Sequence, residues 1–523
     1  MRAPSSTSTE EDPTARKPAR RLIARAVSGV IAAGVVLGVG ELLSALTGPE
    51  SSPFFAVGST TVDRSPAWAR EFAISTFGTG DKPALFVGMS VLIAVFAAIA
   101  GIVERPTRPY GSTILAALGL VGVYAAITRP GAGWGAAVPT VVGVALGIVV
   151  LRQLTSQLDG PPPGRDGDTG RRRFLVLATL AAAVAAAAGV AGRQMNQRLS
   201  GVLDSRRRVR IPPVADRAAP IPPGVDLEVP GATSFITPNP IFYRIDTALQ
   251  VPRLTTADWR LRIHGMVDRE VTLTWDELLR RPPIERAITL TCVSNEVGGD
   301  LAGNATWIGY PIAELLDEVG VRGDADMLLS TSVDGFTVGT PVEVLRDGRD
   351  ALLAVAMNGE PLPLEHGFPV RQVVPGLYGY VSATKWVVDW ELTRFDRAQA
   401  YWTKRGWGAR GPIKTASRID VPAAFAPVSE GPVLIAGTAW AQHRGIERVE
   451  VRVDEGPWQP ATLTPEYSLD TWRQWTWQWD APAGVHTVQV RATDLDGNVQ
   501  TEERTPPIPD GATGWHSRTI TVR

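Results

Sequence analysis

The stretch Ala287-Ile-Thr-Leu-Thr-Cys292-Val-Ser-Asn-Glu-Val-Gly-Gly299 holds the only cysteine among 523 residues. Its first five residues read as a strand, and the two glycines mark a turn beyond it. A thiolate at a strand's exit, followed by small residues, can face a bound ligand while backbone N–H groups approach closely. The alternative is a buried, inert cysteine. A single cysteine excludes an intrachain disulfide and any structural zinc site that needs several thiolates. No C-x-x-C-H occurs, so covalent c-type haem is excluded as well.

Around this stretch the pattern is that of a globular domain beginning at residue 231. Trp259-Arg-Leu-Arg-Ile-His-Gly265 alternates like a strand ending in a turn. Thr274-Trp-Asp-Glu-Leu-Leu279 offers an N-cap with acids in the first helical turn. Pro311-Ile-Ala-Glu-Leu-Leu-Asp-Glu-Val319 predicts an amphipathic helix, and Pro341-Val-Glu-Val-Leu345 another. Strands mixed with short helices predict an α+β domain over residues 231–395.

Thr291-Cys292-Val293-Ser294-Asn295, followed by Trp307-Ile308-Gly309, resembles the molybdenum-ligating segment of the sulfite oxidase family. Phe242-Tyr243-Arg244 before Val251-Pro252 is similar to that family's entry segment, which contacts the pterin. His366-Gly367-Phe368-Pro369-Val370-Arg371, then Val374-Pro375-Gly376, Tyr378-Gly379 and Lys385-Trp386, resembles its second cofactor-binding segment. The resemblance runs from about residue 231 to the C-terminus and implies a molybdenum cofactor bound as molybdopterin. It implies Cys292 as the metal ligand and, with Trp307, the catalytic pair. Asn239, Tyr243, Arg244, Asn295 and Ser382 are then candidates for the pterin's polar groups. His366, Arg371 and Lys385 are donors suited to its phosphate, though each cation also reads as a solvated surface charge. The expected chemistry is two-electron oxygen-atom transfer on a small sulfur-containing substrate.

One departure bears on the substrate. Where sulfite oxidases proper carry arginines after Cys-x-x-Asn, this chain has Glu296-Val297-Gly298-Gly299-Asp300, with two acids and no arginine. A divalent oxyanion would be repelled there unless Arg244 or Arg371 compensates. Reduction of a neutral sulfoxide, such as methionine sulfoxide, is therefore the alternative. A membrane-anchored binding module with an inactive cofactor domain is a third reading.

Residues 396–523 are read as wholly β. Val433–Ala439, Ile446–Val453, Gln474–Trp479 and Val485–Ala492 alternate with period two, separated by Asp454-Glu-Gly456 and Asp496-Gly-Asn498. This predicts an immunoglobulin-like β-sandwich, with the stripe of Trp475, Trp477 and Trp479 in its core. Gly437-Thr-Ala-Trp440 resembles the dimerisation domain of the same family, so a homodimer is one arrangement; a membrane partner is another.

The N-terminal part differs in composition. Every tryptophan except Trp68 and Trp134 lies after Asp258, and the first of five histidines is His264, which argues against a membrane haem held between two imidazoles. Five apolar runs, at 22–46, 84–103, 110–128, 136–151 and 174–192, are long enough for transmembrane helices. The third and fourth flank a turn of Pro130, Gly131, Gly133 and Gly135, which predicts a tight hairpin. Arg16, Lys17, Arg20 and Arg21 precede the first run; Arg165, Arg171, Arg172 and Arg173 precede the fifth. With both basic clusters in the cytoplasm, five spans place everything after residue 193 outside a bacterial cytoplasmic membrane. Arg171-Arg172-Arg173-Phe174-Leu175 also resembles a twin-arginine export signal; the plainer reading is a basic helix anchor.

The organisation expected is multidomain: a cytoplasmic tail (1–21), about five α-helical spans (22–192), an extended extracytoplasmic tether (193–230), an α+β sulfite-oxidase-type molybdopterin domain, and the β-sandwich. With no haem or iron–sulfur motif, electrons pass to an unidentified partner, a cytochrome or a quinone system. A net charge of −1 gives no support to nucleic-acid binding.

Overall fold

The structure, a computed structural model, describes residues 16–77, 80–130, 132–159, 167–199, 201–214 and 216–523. The first fifteen residues of the expected tail, Gly131 of the hairpin turn and Arg165 of the second basic cluster lie outside the described residues. The chain divides into two compact units, one ending at Gly201 and joined by Ala248–Gln250, the other comprising Val202–Thr247 and Val251–Arg523.

The first unit is helical: α1 (Arg16–Thr47), α2 (Pro53–Arg64), α3 (Ala67–Phe77), α4 (Asp81–Val103), α5 (Tyr110–Ile127), α6 (Val138–Asp159) and α7 (Gly167–Leu199), with a two-residue hairpin of β1 (Glu104–Arg105) and β2 (Arg108–Pro109). Five helical segments, in α1, α4, α5, α6 and α7, are long and apolar enough to cross a membrane. They match the five apolar runs, and large side chains such as Val87, Leu120, Val149 and Leu180 face outward from them. Helix α1 is central, packed on α4, α6 and α7. A side chain at Gly29 or Gly38 would run into the backbone carbonyl of Ala97 or Ala185, so these contacts require glycine. Helices α2 and α3 were not legible as apolar runs; they fill the connection between the first two spans.

The second unit begins with α8 (Val202–Arg208). The stretch expected as a free tether lies along the domain instead. Arg206 donates to the carbonyls of Leu362 and Pro361, Glu285 N–H donates to the Asp216 carbonyl, and Asp216 pairs with Arg286 at 2.6 Å. Arg206, which sequence alone assigned to the membrane surface, thus has carbonyl partners and the Glu360 carboxylate in the fold.

The middle lobe holds two sheets. One, antiparallel, has the order β10 (Glu360–Pro361), β9 (Leu352–Met357), β6 (Ala302–Pro311), β5 (Ile284–Thr291), with β11 (Arg371–Val373) also on β9. The other runs β4 (Val271–Thr274), β3 (Arg260–Gly265), β12 (Val387–Thr393), β7 (Met327–Ser332), β8 (Thr337–Pro341), with β12 parallel to β3. Short helices α9 (Trp275–Leu279), α10 (Ile312–Val319), α11 (Val342–Leu345) and α12 (Gly379–Ser382) connect them. Thr274 caps α9 through the expected local chemistry: its hydroxyl accepts from Glu277 N–H while the Glu277 carboxylate accepts from Thr274 N–H.

The C-terminal lobe has a four-stranded sheet, β13 (Ala416–Val421), β15 (Gly431–Trp440), β19 (Arg473–Ala481) and β18 (Thr462–Leu463). A five-stranded sheet joins β14 (Pro427–Val428), β21 (His516–Val522), β20 (Gly484–Asp494), β16 (Ile446–Val453) and β17 (Gln459–Pro460). Ile435, Val449, Trp475, Val488 and Val490 form the shared core, and Trp477 and Trp479 join it, so the tryptophan stripe is core.

His516 on β21 is buried, and its pKa is held at about 4, chiefly by burial and then by Arg518, Arg418 and Arg504. Its Nδ1 accepts the Ile419 N–H at 2.9 Å, a bond only the neutral ring can make. The unfolded chain therefore takes up this proton first, near the ordinary value of 6.5, and stability is lost as pH falls from there through about 4. Urea unfolding followed by tryptophan fluorescence should show the midpoint falling over that window, with a shallower fall in His516→Gln. Equal slopes would remove His516 as the cause.

Candidate active site

Strand β5 becomes progressively buried toward its C-terminal end, and Cys292 follows it, 9% exposed. The turn beyond is closed by its own hydrogen bonds: Cys292 N–H to the Leu301 carbonyl, Asn295 N–H to the Cys292 carbonyl, and Leu301 N–H to Asn295 Oδ1, each at 2.9–3.1 Å. Burial pushes the Cys292 thiol up; the N–H and hydroxyl of Ser294 and the Lys385 ammonium favour the thiolate.

The His366–Arg371 and Lys385 segments come together beside it. Arg371 is buried with its guanidinium 4.9 Å from the Trp307 ring centroid, donating to the His366 carbonyl at 3.2 Å. Lys385 Nζ lies 2.8 Å from Asp246 and donates to the Glu365 carbonyl at 3.1 Å. Arg244, at the exposed edge, shares Asp246 at 2.9 Å. Gly367, at φ 109°, sits between the stems of Arg371 and Lys385, where a Cβ would lie 3.0–3.1 Å from theirs. Only glycine lets the two cations converge. Tyr243 stacks on Phe242, and burial first, then Cys292, raises its pKa.

The electrostatics are those of an anion site. Burial holds Lys385 down to about 8 despite Asp246, and Arg371 down to about 10. Burial, with Arg371 and Lys385 beyond, holds His366 at about 4, a neutral ring hydrogen-bonded to the Asn239 carbonyl at 3.3 Å. Among the described residues Arg371 has no carboxylate partner, and Asp246 serves two cations. Buried positive charge in excess stabilises a bound phosphate or similar group. The donor set, a buried thiol beside such a pocket, fits a phosphorylated cofactor that carries a soft metal. No group of three or more His, Cys, Asp or Glu side chains suited to a metal occurs among the described residues, so the protein offers a metal at this place a single thiolate.

Three of the expected side chains are engaged by the protein itself. Trp307 is 0% exposed and its Nε1 donates to the Ile288 carbonyl, so it forms the floor beneath Arg371. The Ser382 hydroxyl is fully buried and donates to the Leu377 and Tyr378 carbonyls. The Asn239 side chain is bonded to Asn358 and Glu360, leaving its carbonyl for His366. Sequence reading missed Asp246, whose signal was a lone acid two residues after Arg244. It also missed Tyr378, which stood inside a quoted motif.

Tyr378 is buried, and burial raises its pKa to about 12, with Cys292 among the contributors. It lines a cleft of about 330 Å³ that also meets Thr291, Asn295, Glu296, Lys414 and Arg444. Arg444 is neutralised by Asp494 at 3.0 Å, and Lys414 donates to the Gly511 carbonyl.

Residues 248–402 match the profile of the oxidoreductase molybdopterin binding domain. The chain is 31% identical over 329 residues to the mitochondrial sulfite oxidase of Mus musculus, covering 52% of this chain and 58% of that protein. It is 29% identical over 336 residues to the inducible NADH nitrate reductase 2 of Glycine max, covering 51% and 37%. The sulfane dehydrogenase SoxCD of Paracoccus pantotrophus aligns structurally with TM-score 0.49 at 24% identity, over 56% of this chain and 84% of that one. The chain spans little more than half the length of the sulfite oxidases it matches. It carries a molybdopterin-binding oxidoreductase domain. Sulfite oxidases and plant nitrate reductases are among its relatives, and the molybdenum cofactor is the one this domain binds.

If Trp307 is core, Trp307→Ala should lower the unfolding free energy by about 3–5 kcal/mol, read as a shifted urea midpoint. A variant of unchanged stability but lost activity would return Trp307 to the reacting groups.

Proposed function

We propose that this chain carries out two-electron oxygen-atom transfer on a small sulfur-containing substrate, with Cys292 as the protein's ligand to molybdenum. The observation that carries this is a single buried thiol beside a pocket with more buried cations than carboxylates. When bound, the cofactor supplies the two-electron couple and the exchangeable oxygen. Lys385 and Arg371 hold its phosphate; neutral His366 and Tyr243 line the pterin side; Arg244 closes the exposed edge. Asn295 keeps the turn after Cys292 closed and presents its amide to the cleft. Tyr378 stands between thiol and cleft, where its hydroxyl donates to an oxygen on the substrate.

A second reading, reduction of a neutral sulfoxide, is favoured by the cleft. Its arginine is paired with Asp494, and Glu296 faces into it. The catalytic unit lies outside a bacterial cytoplasmic membrane, anchored by the five helices, and exchanges electrons with a cytochrome or quinone system. The C-terminal lobe is an immunoglobulin-like sandwich, and a homodimer through it is one arrangement.

Elemental analysis of detergent-purified protein should give near-stoichiometric molybdenum, with Cys292→Ser losing it or altering its spectrum. Protein from a cofactor-competent host that contained no molybdenum would sink the proposal. Sulfite-dependent dye reduction against sulfoxide-dependent dye oxidation separates the two readings, and Tyr378→Phe should depress whichever is found by about 10²-fold or more.

The orientation is checked separately. A periplasm-dependent reporter fused after Arg523 should be active, and the same reporter fused after Asp159 inactive; the reverse pattern would invert the topology.

A further inference from the structure

Strand β5 is the edge of its sheet, so its outer backbone groups need partners from outside that sheet; Asp216 supplies one near its start. The C-terminal lobe supplies others, at the residues just before Cys292. Asp470 accepts the Thr289 N–H at 2.9 Å through its carbonyl, and Trp472 N–H donates to the Thr289 hydroxyl at 2.8 Å. Gln442, 1% exposed, reaches further: its Nε2 donates to the Thr289 carbonyl at 3.2 Å and to the Thr291 hydroxyl at 3.0 Å. Its Oε1 is buried with no partner among the described residues. A side chain chosen only to fill space would not leave an acceptor so placed.

The same lobe grips the chain after Cys292. Arg418, buried and paired with Asp420 at 2.7 Å, donates to the Gly299 carbonyl at 2.7 Å. The His516 ring lies so close to Gly298 that no side chain fits there. The turn carrying the thiol is thus held on both sides by a lobe that contributes no atom to the cation pocket.

We propose that Gln442 is a positioning residue for the Cys292 thiolate, which makes the C-terminal lobe a structural part of the metal site. This rests on the reading of Cys292 as metal ligand. Ligand orientation depends on the hydrogen bonds behind the ligand, and a strand end free to shift by a fraction of an ångström changes the metal–sulfur geometry.

The test uses the full-length holoprotein in detergent. Gln442→Leu should keep near-stoichiometric molybdenum but shift the thiolate-to-metal absorption and the electron paramagnetic resonance of the half-reduced metal. Thr291→Val, which removes one of the two Gln442 bonds, should shift the signals in the same direction, Thr291→Ser should give no shift, and the double variant should shift no further than Gln442→Leu alone. Unchanged signals in molybdenum-replete Gln442→Leu would overturn the proposal. Should Gln442→Leu not fold, identical spectra for Thr291→Val and Thr291→Ser would overturn it equally. Cys292→Ser separates the two levels: an unchanged metal spectrum there defeats the ligand reading, whereas a changed one beside an unaltered Gln442→Leu defeats only the positioning role.

Discussion

Arg371 and Lys385 are buried side by side, with Asp246 paired to Lys385 and to Arg244 but not to Arg371, and much of the middle lobe serves that constraint. Burial strips both of hydration, which holds both below their ordinary pKa values, and the neighbouring Arg371 and Arg244 lower Lys385 further. Carbonyls of His366 and Glu365, the Trp307 ring and Asp246 offset part of that cost. The remainder is available to an anion. Gly367, with no side chain between the two stems, is the backbone feature that permits the arrangement.

The thiol is the other half. It stands at the end of an edge strand, where a sheet's own hydrogen bonds no longer fix the chain. Its turn is closed by Asn295 and Leu301 from within the lobe, and its flanks are bonded to Gln442, Asp470 and Arg418 of the other lobe. The cofactor pocket and the cleft approach the thiol by way of Tyr243 and Tyr378 respectively. The charge of the two sides differs: the pocket has a cationic excess, while the cleft opposes Lys414 and the Arg444–Asp494 pair to Glu296. An anionic group is drawn to the first and gains little from the second.

Much of the architecture was legible from local pattern. Five apolar runs became five helices of spanning length, because hydropathy over twenty residues reports a single helix without reference to its neighbours. The Thr274 cap, the helix at Ile312–Val319 and the period-two strands of the C-terminal lobe came out as expected for the same reason. The tether did not. A proline-rich stretch with arginines has the composition of a solvated linker, and only the fold shows Arg206 on the carbonyls of Pro361 and Leu362 and the Asp216 carbonyl on the edge of β5.

Among the proposed site residues, residue type and motif pointed to Cys292, Arg371, His366 and Lys385, since few side chains can ligate a soft metal or hold a phosphate, and the fold brings these four near one another. Type and motif could not separate a side chain that faces the pocket from one consumed by the backbone. Trp307, Ser382 and Asn239 sit in the same motifs, yet their polar atoms are bonded to Ile288, to Leu377 and Tyr378, and to Asn358 and Glu360. The sequence by itself determined which chemistry the chain can hold, because that depends on the kinds of groups present and their local spacing. The tertiary structure alone decided which of those groups are free, which acid balances which cation, and that a second lobe braces the thiol, because hydrogen-bond partners more than a hundred residues apart leave no periodic trace along the chain.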